Sequence, residues 1–447
     1  MEKQMTIYTQ DSSKKGFHIG LYHESLEEAS FLYEHRLSLL NDIEVFWVDL
    51  DNFTDERFEA FIHALVIGGT LALNVSKQQA IEGDFGELHT AVRVFCRQNR
   101  LDIVEDFLEE LDFDDDERVK AFSDALCHEL PELWQESLIP SLLEKGPETA
   151  NIAADVIAFQ RLSFEKDLIN SLPQYSSEKS VVISVIKALG RIRSELAVKT
   201  IQQFSEHDDP EIAEEAIFTL LRIGEHQKPS KSWSPINRGL SGNSNEFSEG
   251  QDDITVPETA LAIGLIGNVS AIPNLIASLS NDETAENAAL ALNLITGADI
   301  YEDHFIPEEI DEDALFEDEL EKHKNGELYA PGEEPGETIT RLSQNPETWQ
   351  TWWDENTSDF DPELRYRNGN PYSPECLIEN LKSEKSPNII RKLAYEELVI
   401  RYNVDFRFET EMLVKDQIAT IKQYESRLEA NPNTFEKGKW YFHGKLI

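Results

Sequence analysis

Apolar side chains recur at three- and four-residue spacing along most of this chain, and that rhythm predicts one helix after another. From Glu24 to Leu40, Leu26, Ala29, Phe31, Leu32, Leu37 and Leu40 fall close to a 3.6-residue period, which gives an amphipathic helix. Thr54 reads as the cap of a helix running through Ile67, which Gly68-Gly69 ends. The same spacing predicts helices over 85–98, 100–111, 115–129, 131–144, 148–161 and 163–172, and again over 346–357, 374–383, 387–402 and 410–429. Residues 43–50 alternate partly and are β-rich; lacking a partner strand, they read as an extended connector. The acidic run Asp112–Glu117 lacks the glycine and glutamate of a calcium loop and reads as a helix N-terminus, where acids favour the dipole.

Between Val181 and Gly297 the pattern repeats: an acidic turn, an alanine-punctuated helix and a glycine. The glycines fall 34 positions apart (190 to 224) and, after an interruption, 30 apart (267 to 297). Periods of this size belong to helix pairs that bury their apolar faces only by stacking on their neighbours. Gly190, Gly224 and Gly297 are expected to end helices in the left-handed conformation, and Asp209-Pro210 and Asn281-Asp282 to start them. Alanines 285, 288, 289 and 291 allow close helix approach. With its Asp-Pro turn ahead of an Ala-Leu-Gly helix, the sequence resembles HEAT repeats. The expected fold is all-α: an α-solenoid of HEAT-like helix pairs with an N-terminal helical region and a C-terminal helical cap. Four segments follow: an N-terminal helical region over 1–150, repeats over 151–300 with an inserted Ser/Gly/Asn/Pro-rich loop at 226–256, an acidic linker over 301–345, and a C-terminal helical region over 346–447.

Composition narrows the function. The 447 residues hold 40 Lys+Arg against 86 Asp+Glu, a formal charge of −46. A field of that sign repels nucleic acid and anionic membranes and accelerates encounter with a basic partner. The same excess also serves solubility or a salt-adapted host. Three scattered cysteines suggest neither a disulfide framework nor a zinc site. The N-terminal residues carry no basic stretch followed by an apolar run, and no window approaches 18 apolar residues, so a cytoplasmic location is expected.

No phosphate cradle, nucleophile elbow, His-Glu-x-x-His pair or Cys-x-x-Cys occurs, and the eleven histidines are scattered. We therefore expect no catalytic residues, no metal and no cofactor. Two features suggest a binding surface instead. The acidic stretch 302–321, with Glu308, Glu309, Asp311, Glu312, Asp313, Glu317 and Asp318, presents carboxylates that could imitate phosphates before a basic cleft, or is simply a solvated linker. Trp349, Trp352 and Trp353 fall within five residues, so that at least one could stand exposed as an interface anchor; the alternative is a staple closing the end of the helical stack.

Two further blocks carry a family resemblance. The first is His23-Glu24-Ser-Leu-Glu27-Glu28-Ala29-Ser-Phe31-Leu32-Tyr-Glu-His-Arg36, with Leu50, Asp55-Glu56-Arg57 and Leu65–Gly69. The second is Trp352-Trp353, Phe360, Arg365-Tyr366-Arg367-Asn-Gly369-Asn-Pro371, Leu377, Leu381, Arg391, Ala394, Glu397-Leu398 and Gln417. In this order they resemble a family of bacterial HEAT-repeat proteins whose genes often lie beside type VI secretion loci. The chain departs from that pattern in its acidity and in the 226–256 insertion. The resemblance implies a role in secretion and interbacterial competition without enzyme activity. It suggests an immunity protein that sequesters a basic effector toxin, or an adaptor that loads an effector onto the secretion apparatus.

Overall fold

The computed structural model describes residues 2–40, 42, 45–225, 233–241, 257–308, 322–325, 329 and 335–447, with side chains from Lys14 onward. These residues are predominantly helical, as expected. The first run comprises α1 (Glu2–Leu39), α2 (Glu56–Ile67), α3 (Gly69–Glu82), α4 (Phe85–Arg97), α5 (Leu101–Leu108), α6 (Asp116–Glu129), α7 (Glu132–Lys145), α8 (Pro147–Gln160), α9 (Glu165–Gln174), α10 (Lys179–Arg191), α11 (Val198–Phe204) and α12 (Pro210–Ile223). Then come α13 (Pro235–Ser241), α14 (Pro257–Ile266), α15 (Ile272–Ser278), α16 (Ala285–Thr296), α17 (Pro346–Asn356), α18 (Pro374–Lys382), α19 (Asn388–Tyr402) and α20 (Val414–Glu429). No single helix among the described residues is long and apolar enough to cross a membrane.

The chain forms two compact units that do not follow the four expected segments: residues 1–237 with 374–434 and 440–447, and residues 238–373 with 435–439. The C-terminal region 346–447 is thus divided between them.

In the first unit every second helix packs on the next: α4 on α6, α6 on α8, α8 on α10, α10 on α12. Their apolar stripes merge into one core running from Leu73 to Ile223. Three of the expected helix boundaries are in place. Asp115 accepts a hydrogen bond from the Arg118 N–H (3.1 Å), and Asp209 accepts from the Glu211 and Ile212 N–H groups. Gly224 ends α12 with φ +97°. Gly190, however, does not end a helix. It lies inside α10, where a Cβ would come within 2.5 Å of the Thr219 hydroxyl, so it is there to let α12 approach. Thr54 caps nothing either. Residues Asp51–Asp55 form a π-helical turn, and the Thr54 hydroxyl donates to the Leu50 carbonyl (3.0 Å). Of the expected connector over 43–50, residues 43 and 44 lie outside the described residues, and 45–50 form turns. Gly68-Gly69 ends α2 but opens α3, a helix the sequence reading missed. Within the 226–256 insertion, residues 233–237 are fastened down: Glu214 accepts from the Ser234 N–H (2.7 Å) and the Asn237 amide (2.6 Å), and Trp233 is buried. Residues 226–232 and 242–256 lie outside the described residues.

The returning C-terminal residues close this unit through buried charge. Arg161, Arg191 and Arg222 stand at or just past the ends of α8, α10 and α12, and converge on residues 395–409. Arg161 donates to the Tyr395 hydroxyl (2.9 Å) and the Glu409 carboxylate (2.8 Å). Arg191 pairs with Glu396 (2.9 Å), as does Arg222, which also donates to the Tyr395 hydroxyl (3.2 Å). The Tyr395 hydroxyl in turn donates to Asp405 (2.9 Å). Burial pushes the Glu409 carboxyl up, but the guanidinium groups of Arg191, Arg161 and Arg222 outweigh it and hold the group below the usual carboxylate range. A second clamp joins residues far apart in sequence. Arg36 binds Asp55 (2.6 Å) and the Met412 carbonyl (2.8 Å), and Asp55 accepts the Val414 N–H (2.8 Å). Arg391 reaches Gln417 (2.6 Å) and lies 3.9 Å over the Trp47 ring. Arg36, Asp55, Arg391 and Gln417 thus join α1 and the α2 entry to the C-terminal helices.

In the second unit, α14, α15, α16 and α17 surround an apolar core that includes Leu292, Ile295 and Trp349. Gly264 meets Ala291, where a Cβ would lie 2.8 Å from the facing Cα, so small residues set the α14–α16 approach as expected. Asn281 does not cap α16. Its side chain forms a turn by accepting the Glu283 N–H (3.1 Å), and the helix opens after Thr284. Residues 365–369 dock through the backbone, the Tyr366 N–H donating to Gly267 O (2.9 Å) and the Gly369 N–H to Ile295 O (3.0 Å), while the Tyr366 ring lies in the core of this unit. Gly267 (φ +73°) and Gly297 (φ +60°) permit this, since a Cβ at either would strike the docked backbone.

Two outcomes follow for stability. Glu396→Ala leaves the buried Arg222 guanidinium without its carboxylate and should cost about 3–5 kcal/mol in urea-induced unfolding. His89 is buried, stacked 3.8 Å on Tyr33, and neither ring nitrogen has a partner; burial and then Arg93 push its pKa well below 6.5. The unfolded chain therefore binds this proton more readily, and stability should fall as pH drops below about 6.5, by at most about 1.4 kcal/mol per pH unit from this group. Glu409, whose carboxyl is held below the ordinary value of 4.5, adds a second loss that begins as pH falls through that ordinary value and is complete once pH passes its depressed folded-state pKa. Unfolding curves at stepped pH should show the upper slope reduced in His89→Phe and the lower one reduced in Glu409→Gln.

Candidate protein-binding surface

The segment expected to be an acidic linker begins and ends as a β-hairpin. Strand β1 (Tyr301–Pro307) pairs antiparallel with β2 (Gly336–Leu342), with Tyr301 opposite Leu342 and Phe305 opposite Thr338. Aromatic and β-branched residues, with Thr338-Ile339-Thr340 at the centre of β2, suit the pleated ladder despite the surrounding acid. The hairpin is closed at its far end by the Glu308 N–H on Pro335 O (2.8 Å) and at its base by the Ser343 N–H on Ile300 O (2.8 Å).

Alternation gives the hairpin two different faces. On one, Ile339 is buried, and Glu302, His304 and Arg341 are half-buried. Glu302 ties the base together, accepting from the Ser343 hydroxyl (2.7 Å), the Gln344 N–H (3.2 Å) and Arg341 (3.2 Å). Burial raises its pKa, but these donors outweigh burial and hold it below the usual range. The other face points outward. It carries Tyr301, Asp303 and Phe305 with Thr338 and Thr340 beside them, all exposed. Tyr301 and Phe305 are 41% and 43% exposed, and the Thr340 hydroxyl donates to Asp303 (3.2 Å), fixing a carboxylate between two aromatic rings.

The expected anchors fall elsewhere. Trp349 is only 1% exposed: it sits in the core of this unit and donates its indole N–H to Ser343 O (2.7 Å), so it cannot meet a partner. Trp352 and Trp353 are half-buried against Phe360, at 6.3 and 5.4 Å between ring centroids. The cluster fastens α17, whose N-terminus is capped by the Asn345 side chain (2.9 Å to the Glu347 N–H). Among the carboxylates, Glu308 is exposed at the end of β1. Glu309, Asp311, Glu312, Asp313, Glu317 and Asp318 lie outside the described residues. The arginine-lined side of the first unit is covered by the chain's own residues 395–409. Sequence reasoning missed the Tyr301-Asp303-Phe305 face because the density of acids hid the alternation beneath it.

Among the described residues no group of three or more His, Cys, Asp or Glu could hold a metal ion, and the three cysteines are buried and free. Comparison of the chain with protein-family models, with curated proteins and with solved structures finds no match.

Glu302→Ala should release the hairpin base by removing the acceptor of three hydrogen bonds. The expected cost is about 1–3 kcal/mol by thermal unfolding, with faster amide exchange in β1 and β2 than elsewhere in the same unit.

Proposed function

We propose that this protein is a non-enzymatic α-solenoid that binds another protein in the cytoplasm, and that in a type VI secretion context it is an immunity protein sequestering a basic effector toxin. The observation that carries the reading is the outward face of the hairpin. Two exposed aromatic rings flank a fixed carboxylate at the root of an acid-rich segment, in a chain of net charge −46. Exposed aromatics supply anchors, and carboxylates beside them favour Lys and Arg on a partner by ion pairing and by the attraction of cations to ring faces. The serial packing of α4, α6, α8, α10 and α12 supports the solenoid, because each element contacts chiefly its neighbours. The scaffold would present the surface, and the field of the whole chain would speed encounter.

The test is co-expression. Each candidate effector encoded beside this gene is produced in a sensitive host with and without the protein, and the tagged protein is recovered from both cultures. Rescue with a stable complex is expected. Capture of an effector together with a secretion-spike component, without rescue, would replace immunity by a loading role. With the purified partner, the association rate constant should fall about tenfold or more between low and high salt, and Phe305→Ala should weaken affinity by about tenfold. Charge reversal at Asp303 should slow association, while Trp352→Ala should leave the rate unchanged.

A further inference from the structure

The first unit has an open cleft of about 540 Å³ between the returning C-terminal residues and the helices α1, α6, α8 and α10. Its size falls in the range of small-molecule sites. Ten charged side chains line it, five of each sign, in a chain with twice as many acids as bases. Most of these charges are already matched: Arg36 with Asp55, Lys120 with Asp124 (3.0 Å), Arg191 with Glu396, Lys392 with Glu411 (2.6 Å). Two are not. Asp155 on α8 and Lys187 on α10 make no hydrogen bond or ion pair with any described residue. Asp155 feels the charge of Lys187 first and of Lys120 next, with Asp124 opposing them, and Lys187 acts also on Glu215 of α12. A third polar group in the wall is unsatisfied: Thr410 is 1% exposed and its hydroxyl has no partner. Leu37, Phe159 and Phe408 supply apolar surface beside them.

An unpartnered half-buried carboxylate is costly to keep, and burial pushes the Asp155 pKa up. A cleft that holds an unmatched anion and an unmatched cation apart, over an apolar wall, is complementary to a small molecule carrying both charges. We propose that this cleft binds a small zwitterion of amino-acid or dipeptide size, its ammonium on Asp155 and its carboxylate on Lys187, with the side chain against Phe159. This site is separate from the hairpin face and does not depend on the protein-binding reading.

The test uses the full-length protein and a panel of free amino acids and simple dipeptides, read by thermal shift and by calorimetric titration. A subset should bind saturably and raise the melting temperature. Their N-acetylated and C-amidated forms should bind at least tenfold more weakly, because each removes one of the two charges. Asp155→Asn should weaken the same ligands by tenfold or more. Lys187→Met, at an exposed position that leaves the fold intact, should do likewise and keeps the test open if the Asp155 variant does not fold. The proposal is overturned if no member of the panel binds at millimolar concentration, if the blocked forms bind as well as the free ones, or if Lys187→Met leaves affinity unchanged.

Discussion

The convergence of Arg161, Arg191 and Arg222 on Tyr395, Glu396 and Glu409 is the interaction on which the first unit depends. Three guanidinium groups buried at the ends of successive helices could not remain there alone; the desolvation of each must be met by a carboxylate or a hydroxyl. Those acceptors arrive from more than 170 positions later in the chain. The seam therefore contributes less to net stability than its many bonds suggest, since burying the ions offsets much of what the bonds return. Its larger effect is on uniqueness, because a shift of α19 by one turn would leave buried charges unpaired.

The second clamp works by the same rule. Arg36, Asp55, Arg391 and Gln417 bind one another and the free backbone groups of residues 410–414, so that the start of α20 is satisfied from a distant helix pair. In the second unit, Tyr366 and Gly369 dock by backbone hydrogen bonds on helix ends opened by glycine. The work of all these positions is chain closure.

The surface with the clearest chemistry lies on the longest pair of strands among the described residues. A two-stranded hairpin places residues on two faces, and its buried Ile339 and its Glu302 hydrogen bonds use only one of them. The other face is left to display Tyr301, Asp303 and Phe305. The tryptophans that looked like anchors have the opposite fate: a bulky ring with one donor is well suited to a core when a carbonyl such as Ser343 O lies within reach.

Much of the helical layout was legible in the residues. The 3.6-residue periodicity from Phe85 to Gln174 gave each helix to within a few residues, and Asp115 and Asp209 marked true caps because capping is a local bond between a side chain and the next turn. The arginine seam also left a trace: residues 161, 191 and 222 recur at the repeat period, a basic position that could have been read as a ladder seeking acid. What the sequence by itself determined was most of the helices, those of their starts marked by a local side-chain cap such as Asp115 and Asp209, and the acidic field, all of which arise from neighbours within a few residues or from summed charge. Which charges pair, which tryptophan is buried, that an acidic segment begins and ends as paired strands, and that the C-terminal residues cover the repeats were decided only by tertiary structure. Each of these depends on contacts between residues tens to hundreds of positions apart, and no local pattern encodes such a contact.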